Sequence, residues 1–287
     1  MAYPDDPALR ASVTSLLGSA WPRVPQGIAR AEAWGADWYE VSTPFVRMEG
    51  GVAVGHVGVL EMPLRVEGRD IVVAGVHGVC VHPEHRGRGH LREAMREALA
   101  WIDARHETSV LWTSEPEIYT RFGFARCEEQ VFVSARPAAA GEGASRALSM
   151  DDPADLRIVD ELLRDRQPVS ERCAAREPGW LFKIDVSLWR EAAGMLRFLP
   201  DLGCVVACDE RGGALRVLDV IARRVPGLAE ILARLGPGPD RVECYVTPDR
   251  LGVGLAAEPS PLVDRLMVRG RPLGVSSPFA LSPLAHC

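Results

Sequence analysis

The chain has 287 residues, of which 47% are hydrophobic and 25% are charged, and its formal net charge is −6. This composition is ordinary for a globular protein, and the scattered basic residues argue against a nucleic-acid-binding protein. No apolar run approaches the 18 residues of a membrane span, and the N-terminus lacks the basic and apolar regions of a secretion signal. The sequence therefore predicts a cytoplasmic protein with neither nucleic acid nor a membrane as a partner.

The first third of the chain changes from a helical to a strand-like period. Leu9, Val13 and Leu16 recur at helical spacing after Asp6, which can cap the helix, and a second helix is predicted over residues 26–34. Strand-like alternation follows. It predicts three antiparallel strands and a longer central strand: Tyr39–Arg47, Gly51–Leu60, Leu64–Glu67 and Ile71–Val81.

A helix then separates the central strand from another short strand. Apolar residues on one face predict a helix over Gly89–Arg105. The remaining predicted elements of this half are a strand over Ser109–Thr113, a short helix over Glu115–Arg121 and a strand within Phe124–Ala135.

A low-complexity segment, residues 137–147, divides the chain into two predicted domains, 1–136 and 148–287. Two domains are expected because 287 residues approach the limit for one hydrophobic core. The second half also reads as a sheet with helices, so the fold class is α/β (α+β), and its element order suggests a tandem repeat of the first half. Its predicted elements are Asp151–Arg166 and Pro226–Leu235 as helices, and Cys204–Cys208, Ala214–Ile221, Val242–Val246 and Leu251–Ala256 as strands.

The turn between the central strand and the next helix has the chemistry of an anion site. It contains Arg86, Gly87, Arg88 and Gly89. A turn that leads into a helix presents free main-chain N–H groups, which can bind an anion such as a pyrophosphate. The glycines allow close approach to a phosphate, and the arginines supply positive charge. The alternative is an ordinary solvated loop, because short glycine motifs recur by chance.

These residues resemble the Gcn5-related N-acetyltransferase (GNAT) superfamily. Its acyl-CoA signature, (Gln/Arg)-x-x-Gly-x-(Gly/Ala), is matched by Arg86 and Gly89, with Leu91 at the last position. Leu91 is expected in the enhanced-intracellular-survival branch of tandem acetyltransferases, which also has a segment similar to residues 114–124. The two matching segments lie in the expected order, about 30 residues apart.

The resemblance implies a fold, a cosubstrate and the residues that bind it. The fold would be a tandem GNAT fold, each sheet mixed, mostly antiparallel and flanked by helices, with the first splayed between its fourth and fifth strands. Acetyl-CoA would enter there, with its pantetheine along the backbone of Val79, Cys80 and Val81. The pyrophosphate would lie against Arg86, Gly87, Arg88, Gly89, His90 and Leu91.

Tyr119 corresponds to the general acid of that family, which reprotonates the leaving CoA thiolate, and Ser114 to a polar residue lining the same pocket. A phenol with a pKa near ~10 suits proton transfer to a thiolate. For Tyr119 the alternative is a helix tyrosine that packs beneath Phe122.

The general base stays open. The resemblance implies a third, sterol-carrier-like domain whose terminal carboxylate serves as base, and the chain ends at Cys287, before such a domain. The apolar last residues are expected to dock, which would bring the Cys287 carboxylate or His286 towards the first domain. Strand alternation places His77 on the face of Val79 and Val81, which makes it a second candidate base or, alternatively, a buried hydrogen-bonded histidine.

No metal is predicted. His82, His85, His90 and Cys80 span a strand end, a turn and a helix start, so their spacing implies no ligand geometry. None of the seven cysteines forms a Cys-x-x-Cys pair, which argues against a zinc ribbon and a disulfide framework.

Aromatic and acidic residues cluster where the GNAT fold places its acceptor. Trp34, Asp37, Trp38 and Glu40 would suit a cationic amine. They equally fit core aromatics beside an exposed acidic loop.

The sequence therefore predicts an enzyme that transfers acetyl from acetyl-CoA directly to a primary amine of a small molecule, either aminoglycoside-like or another metabolite. The alternatives are a non-catalytic acyl-CoA sensor, an acyltransferase acting on a protein amine, and an enzyme using a longer acyl chain. A homo-oligomer is compatible with all of them.

Overall fold

Two seven-stranded sheets organise the residues that the computed structural model describes, which are residue 3 and residues 6–136, 144–176, 179–188, 194–252, 254–276 and 278–286. Helices pack against both sheets. In this part of the chain, none of the helices is both long and apolar enough to cross a bilayer.

Two helices open the chain, as their apolar spacing predicts: α1 (Pro7–Ala20) and α2 (Val24–Ala33). Asp6 caps α1 by accepting a hydrogen bond from the Leu9 N–H at 2.9 Å. A one-turn helix, α3 (Trp38–Val41), occupies the start of the first predicted strand. Asp37 caps it by accepting from the Tyr39 N–H, which explains why the strand begins only at Ser42.

The first sheet has the strand order β1-β2-β3-β4-β14-β5, where β14 spans Arg265–Gly270, and β8 (Cys173–Ala175) pairs with β2. Its early strands are β1 (Ser42–Glu49), β2 (Val52–Val66), β3 (Arg69–Val81), β4 (Thr108–Thr113) and β5 (Ala125–Arg126), with α4 (His90–Asp103) and α5 (Glu117–Thr120) between them. The prediction of separate strands over 51–60 and 64–67 is wrong. β2 is continuous through Pro63, which the sheet accommodates opposite Val72.

The second sheet has the order β13-β6-β12-β11-β10-β9-β7. Its strands are β6 (Gln130–Ala135), β7 (Arg146–Ala147), β9 (Leu196–Leu199), β10 (Cys204–Arg211), β11 (Ala214–Ala222), β12 (Arg241–Cys244) and β13 (Ala256–Pro259). The helices of this half are α6 (Pro153–Arg164), α7 (Trp180–Leu188) and α8 (Leu228–Leu235). The predicted strands over 204–208 and 214–221 are confirmed, and as β10 and β11 they pair antiparallel across the Gly212–Gly213 turn.

The strands do not follow a division of the chain at residue 136. β6 lies before that point yet pairs with β12 and β13 of the second sheet. Conversely, β8 (Cys173–Ala175) and β14 (Arg265–Gly270) come from the second half and pair with β2 and β4 of the first sheet. Each half of the chain therefore completes a sheet of the other half.

The C-terminal segment docks as its apolar composition predicts. Phe279, Leu281 and Leu284 are buried. The Ala280 carbonyl accepts from the Thr247 hydroxyl at 2.8 Å, and the Leu281 N–H donates to Glu129 at 3.0 Å. These contacts fix the segment across both sheets.

A β-bulge interrupts β3 at Gly78. His56 of β2 lies opposite Cys80 and Gly58 lies opposite His77, so Gly78 and Val79 together face a single residue of β2. Gly78 has a φ of 56°, in the left-handed region that favours glycine.

His56 holds this bulge in place. Its Nδ1 lies 2.6 Å from the Gly78 carbonyl oxygen, and its Nε2 contacts the Tyr3 hydroxyl. Complete burial lowers the pKa of His56 to about 4, so the ring is neutral at pH 7. A carbonyl only accepts, so Nδ1 carries the proton and Nε2 accepts from Tyr3.

We predict that residues 1–136 alone do not fold cooperatively. The fragment lacks β14, which makes six residue pairs with β4, and it leaves β6 without either neighbour. Urea unfolding followed by circular dichroism, with amide NMR dispersion, measures this. Adding residues 137–287 as a separate chain should restore the spectrum, and a sharp unfolding transition of the fragment alone would contradict the prediction.

We also predict that Gly78→Ala lowers the free energy of unfolding more than Gly50→Ala does. The two glycines have φ values of 56° and 57°, so each variant places alanine in the left-handed region at a cost of about 1–2 kcal/mol. A Cβ at Gly78 would also lie 3.1 Å from the His56 ring, whereas one at Gly50 meets no atom within 4 Å. The crowding should add about 1–3 kcal/mol for Gly78→Ala only. Chemical denaturation of both variants tests this, and equal losses would rule out the contribution of His56.

Candidate active site

The first sheet opens between β3 and β4. These parallel strands pair only at Ala74–Ser109 and Gly75–Val110, although β3 continues to Val81 and β4 to Thr113. Within the described residues no further ladder pair joins them. The opening matches the splay predicted between the fourth and fifth strands, which are β3 and β4 here because two predicted strands are one.

The bulge places His77 and Val79 on opposite faces of this opened strand. Val79 packs in the cluster of α4 that contains Met95 and Tyr119. His77 instead contacts Trp38 edge-on at 4.9 Å and lies 2.9 Å from the Ser42 hydroxyl. Strand alternation predicted one shared face, and that prediction is wrong because the extra residue at Gly78 reverses the alternation.

His77 is a buried, hydrogen-bonded histidine. Its ring fills the space above Gly58, where a Cβ would lie 2.6 Å from the imidazole. Burial, reinforced by neighbouring His56, lowers the pKa of His77 to about 3. The ring is therefore neutral and too weakly basic to hold the proton of an alkylammonium ion.

The Arg-Gly turn lies at the N-terminus of α4, as predicted. Gly87 and Gly89 have φ values of 77° and 91°, and Gly89 is the N-cap residue of the 14-residue α4, with no side-chain cap. Most of the turn is exposed. Arg86 donates to the Val81 carbonyl at 3.3 Å, which links the turn to the end of β3.

Glu49 is a functional candidate that the sequence did not reveal. Its carboxylate lies 2.9 Å from His85 Nδ1, 2.9 Å from His90 Nε2 and 3.2 Å from the Arg88 guanidinium. Partial burial favours the neutral form, but the His85 hydrogen bond and the neighbouring positive charge outweigh it and lower the pKa of Glu49. An ionised carboxylate thus neutralises part of the turn. Its position at the end of β1, directly before the Gly50–Gly51 turn, gave no signal of this contact.

Glu49, His85 and His90 also have the geometry to hold a metal ion. One ligand atom each from Glu49, His85 and His90 lies within 4.8 Å of the others. The sequence spacing of the histidines implied no such geometry, because the third group comes from a distant hairpin. Arg88 competes for the same carboxylate, and Cys80 packs on the other face, in the cluster of α1.

Tyr119 and Leu91 lie on the α4 face of the opening. Both pack in the cluster that holds Val79, and Tyr119 is 9% exposed. Ser114 is exposed directly after the end of β4. The fold therefore gathers the predicted acid, the predicted pantetheine strand and the start of α4 on one side of the sheet.

A cavity of about 350 Å³ opens on the other side of the sheet. His77 and Gly78 of β3 line it, together with Trp38, α7 and the docked C-terminal segment. His286 of that segment stacks on Trp112 at 4.2 Å. Burial lowers the pKa of His286 to about 3, so this imidazole is also neutral. Cys287, the other predicted base of the segment, lies outside the described residues.

Of the four predicted acceptor residues, only Trp38 lines this cavity. Trp34 is buried against the second sheet, where its indole N–H donates to Asp151 at 3.0 Å. Asp37 caps α3 and pairs with Arg10 at 3.0 Å. Glu40 lines a different cavity, beside β1 and β2. Trp34 follows α2, Asp37 is the N-cap of α3, and Trp38 and Glu40 lie within its single turn, so these four residues do not form one surface.

Comparisons with known proteins agree with this architecture. Residues 10–127 match the family model described as an acetyltransferase (GNAT) domain. Over 260 residues the chain is 31% identical to an uncharacterized N-acetyltransferase of Streptomyces coelicolor, with 83% of this chain and 58% of the relative covered. The chain spans about half the length of the curated relatives it matches.

Solved structures share the fold at low sequence identity. A probable N-acyltransferase from Enterococcus faecalis aligns with a TM-score of 0.61 and 14% identity, covering 94% of this chain and 71% of its own. Eis1 from Mycobacterium abscessus aligns with a TM-score of 0.51 and 19% identity, and the alignment covers 78% of this chain and 63% of Eis1. Residues 10–127 thus match a GNAT acetyltransferase domain in sequence, and the two sheets share the fold of solved N-acyltransferases.

Proposed function

We propose that the protein transfers acetyl from acetyl-CoA directly to a primary amine of a small molecule. The observation that carries this proposal is the opening between β3 and β4, which has the glycine turn and the N-terminus of α4 at its end. A helix N-terminus with positive-φ glycines favours a pyrophosphate, because N–H groups and the helix dipole both face the anion.

The two faces of β3 supply separate places for the two substrates. We infer that the pantetheine lies along Val79 and Val81, and that Arg86, Arg88 and the main chain of 86–91 hold the pyrophosphate. Tyr119 and Ser114 belong to the same side. The acceptor would approach from the other side, through the cavity at His77 and Gly78.

In this reaction the amine nitrogen attacks the thioester carbon, the C–S bond breaks, and CoA leaves as a thiolate that takes a proton from Tyr119. Main-chain N–H groups at the opened strand would stabilise the oxyanion. The proton of the amine leaves to water, because His77 and His286, whose pKa values burial lowers to about 3, cannot retain it.

We predict that Tyr119→Phe lowers kcat by about 100-fold or more without weakening CoA binding, since general-acid catalysis typically contributes ~10²–10⁴-fold. Thiol release from acetyl-CoA with a panel of amines measures turnover, and calorimetry measures CoA affinity. Tyr245→Phe removes a hydroxyl from the second sheet, where it donates to Glu243, and should leave kcat unchanged.

Three results would count against the proposal. Equal kcat values in Tyr119→Phe and the unaltered protein would remove Tyr119 as the acid. Tight CoA binding without thiol release for any amine would favour an acyl-CoA sensor. Absence of CoA binding would remove both functions.

We predict that Glu49→Gln tightens CoA binding about 3- to 10-fold at low salt, with a smaller effect at high salt. The substitution removes the carboxylate that competes with phosphate for Arg88 and His85. Glu84→Gln is the matched control, because it removes the same charge from the same turn, where only the Glu84 main-chain oxygen contacts Arg88. Calorimetry at two ionic strengths tests this. Weaker binding in Glu49→Gln would show that Glu49 supports the turn rather than competing with the ligand.

A further inference from the structure

The walls of the cavity beside Gly78 are apolar on most sides. Aliphatic side chains of three helices form them: Leu17 of α1, Val24 and Ile28 of α2, and Leu181 and Ile184 of α7. Trp38 adds an aromatic wall. The volume of about 350 Å³ lies at the lower end of the range for small-molecule pockets, ~300–1,000 Å³.

The formal charge in this lining is entirely negative. Among the described residues that line the cavity, Asp185 and Asp264 are the charged side chains, and the same lining includes neither lysine nor arginine. Asp264 is exposed, next to the start of β14, and Asp185 is half-buried on α7. The negative charge of this lining favours a cation over an anion.

Besides the two aspartates, the polar groups of the described lining are few. His77 and Gly78 form its end at the opened strand, and His286 is the remaining imidazole. A ligand with many hydroxyl or ammonium groups would leave several of them against aliphatic walls without a partner, which is unfavourable. A single amino group on an apolar body avoids that cost.

We propose that the acceptor is a primary amine on an alkyl or aryl body, which packs against α1, α2 and α7 while its amino group reaches His77 and Gly78. This inference rests on the proposed function, because it places the acceptor of that reaction in this cavity. It selects against the aminoglycoside-like acceptors that the sequence left open.

The test compares two amines of equal length. n-Hexylamine and 2-(2-aminoethoxy)ethanol both have seven non-hydrogen atoms, but two carbons of the first are oxygens in the second. Thiol release from acetyl-CoA should give a kcat/KM about 10- to 100-fold higher for hexylamine, since each buried methylene favours it. Kanamycin, an aminoglycoside, should react more slowly than hexylamine.

Two pairs of variants locate the effect in the cavity. Asp264→Asn should raise the KM for hexylamine about 3- to 10-fold with little change in kcat, whereas Asp240→Asn, an exposed aspartate beside β12, should change neither. Leu188→Ser, at a residue that lines the cavity, should lower the ratio of kcat/KM for hexylamine to kcat/KM for the ether alcohol. Val263→Ser, at a residue that is 73% exposed and outside the lining, should not.

Calorimetric titration of each amine into the CoA-bound protein separates this inference from the proposed function. Faster turnover and tighter binding of the ether alcohol, or of kanamycin, would overturn the inference and leave the acetyltransferase intact. If no amine released thiol, the proposed function would fail. The relative affinities of hexylamine, the ether alcohol and kanamycin would still test which kind of amine the cavity binds. Preferential binding of hexylamine that Leu188→Ser weakens and Val263→Ser preserves would support it.

Discussion

The hydrogen bond from His56 to the Gly78 carbonyl fixes the shape of the strand on which both faces of the candidate site depend. The His56 ring is fully buried, and because the Gly78 carbonyl can only accept, Nδ1 carries the proton and Nε2 accepts from Tyr3. Because of the bulge, the side chains of His77 and Val79, two residues apart on β3, lie on opposite faces, Val79 towards α4 and His77 towards Trp38 of α3. A regular strand would point both side chains to one face, and the other face would lose its polar group.

The exchange of strands between the two sheets has a direct consequence for the cavity. Its lining comes from α1 and α2, from β3, from α7 and from residues 264 and 286, so both halves of the chain contribute. The halves are tied nearby by Lys183, which donates to the Trp34 carbonyl at 2.8 Å, and by the Trp34–Asp151 hydrogen bond. The second half is thus part of the candidate acceptor site.

Local patterns predicted the part of the site that is itself local. The Arg86–Leu91 turn, the start of α4 and the opening beside it follow from adjacent residues, and each lies where the sequence indicated. The bulge could not be predicted because Gly78 lies in an apolar run that is compatible with a regular strand. The bulge is visible only in the register of β3 with β2. Glu49, Asp264 and the lining from α7 depend on contacts between distant segments, which periodicity does not encode. The acidic and aromatic residues of 34–40 predicted one acceptor surface, and this was wrong because residues that are close in sequence there lie in different parts of the structure.

The proposed reaction needs the acceptor amine in two protonation states, charged when it is attracted to the cavity and neutral when it attacks the thioester. The groups that favour each state lie at different places in the cavity lining. The positive charge of an amine attracts it to Asp264 and Asp185, but the nitrogen must be neutral to attack the thioester. Exposure falls from Asp264 at the rim, through half-buried Asp185, to His77, which is 6% exposed. The same desolvation that lowers the pKa of His77 and of His286 to about 3 also disfavours an ammonium ion beside them. Under the proposed reaction, the carboxylates on the exposed side of the cavity would attract the cation, and the uncharged surroundings of His77 would favour the neutral amine that attacks the thioester.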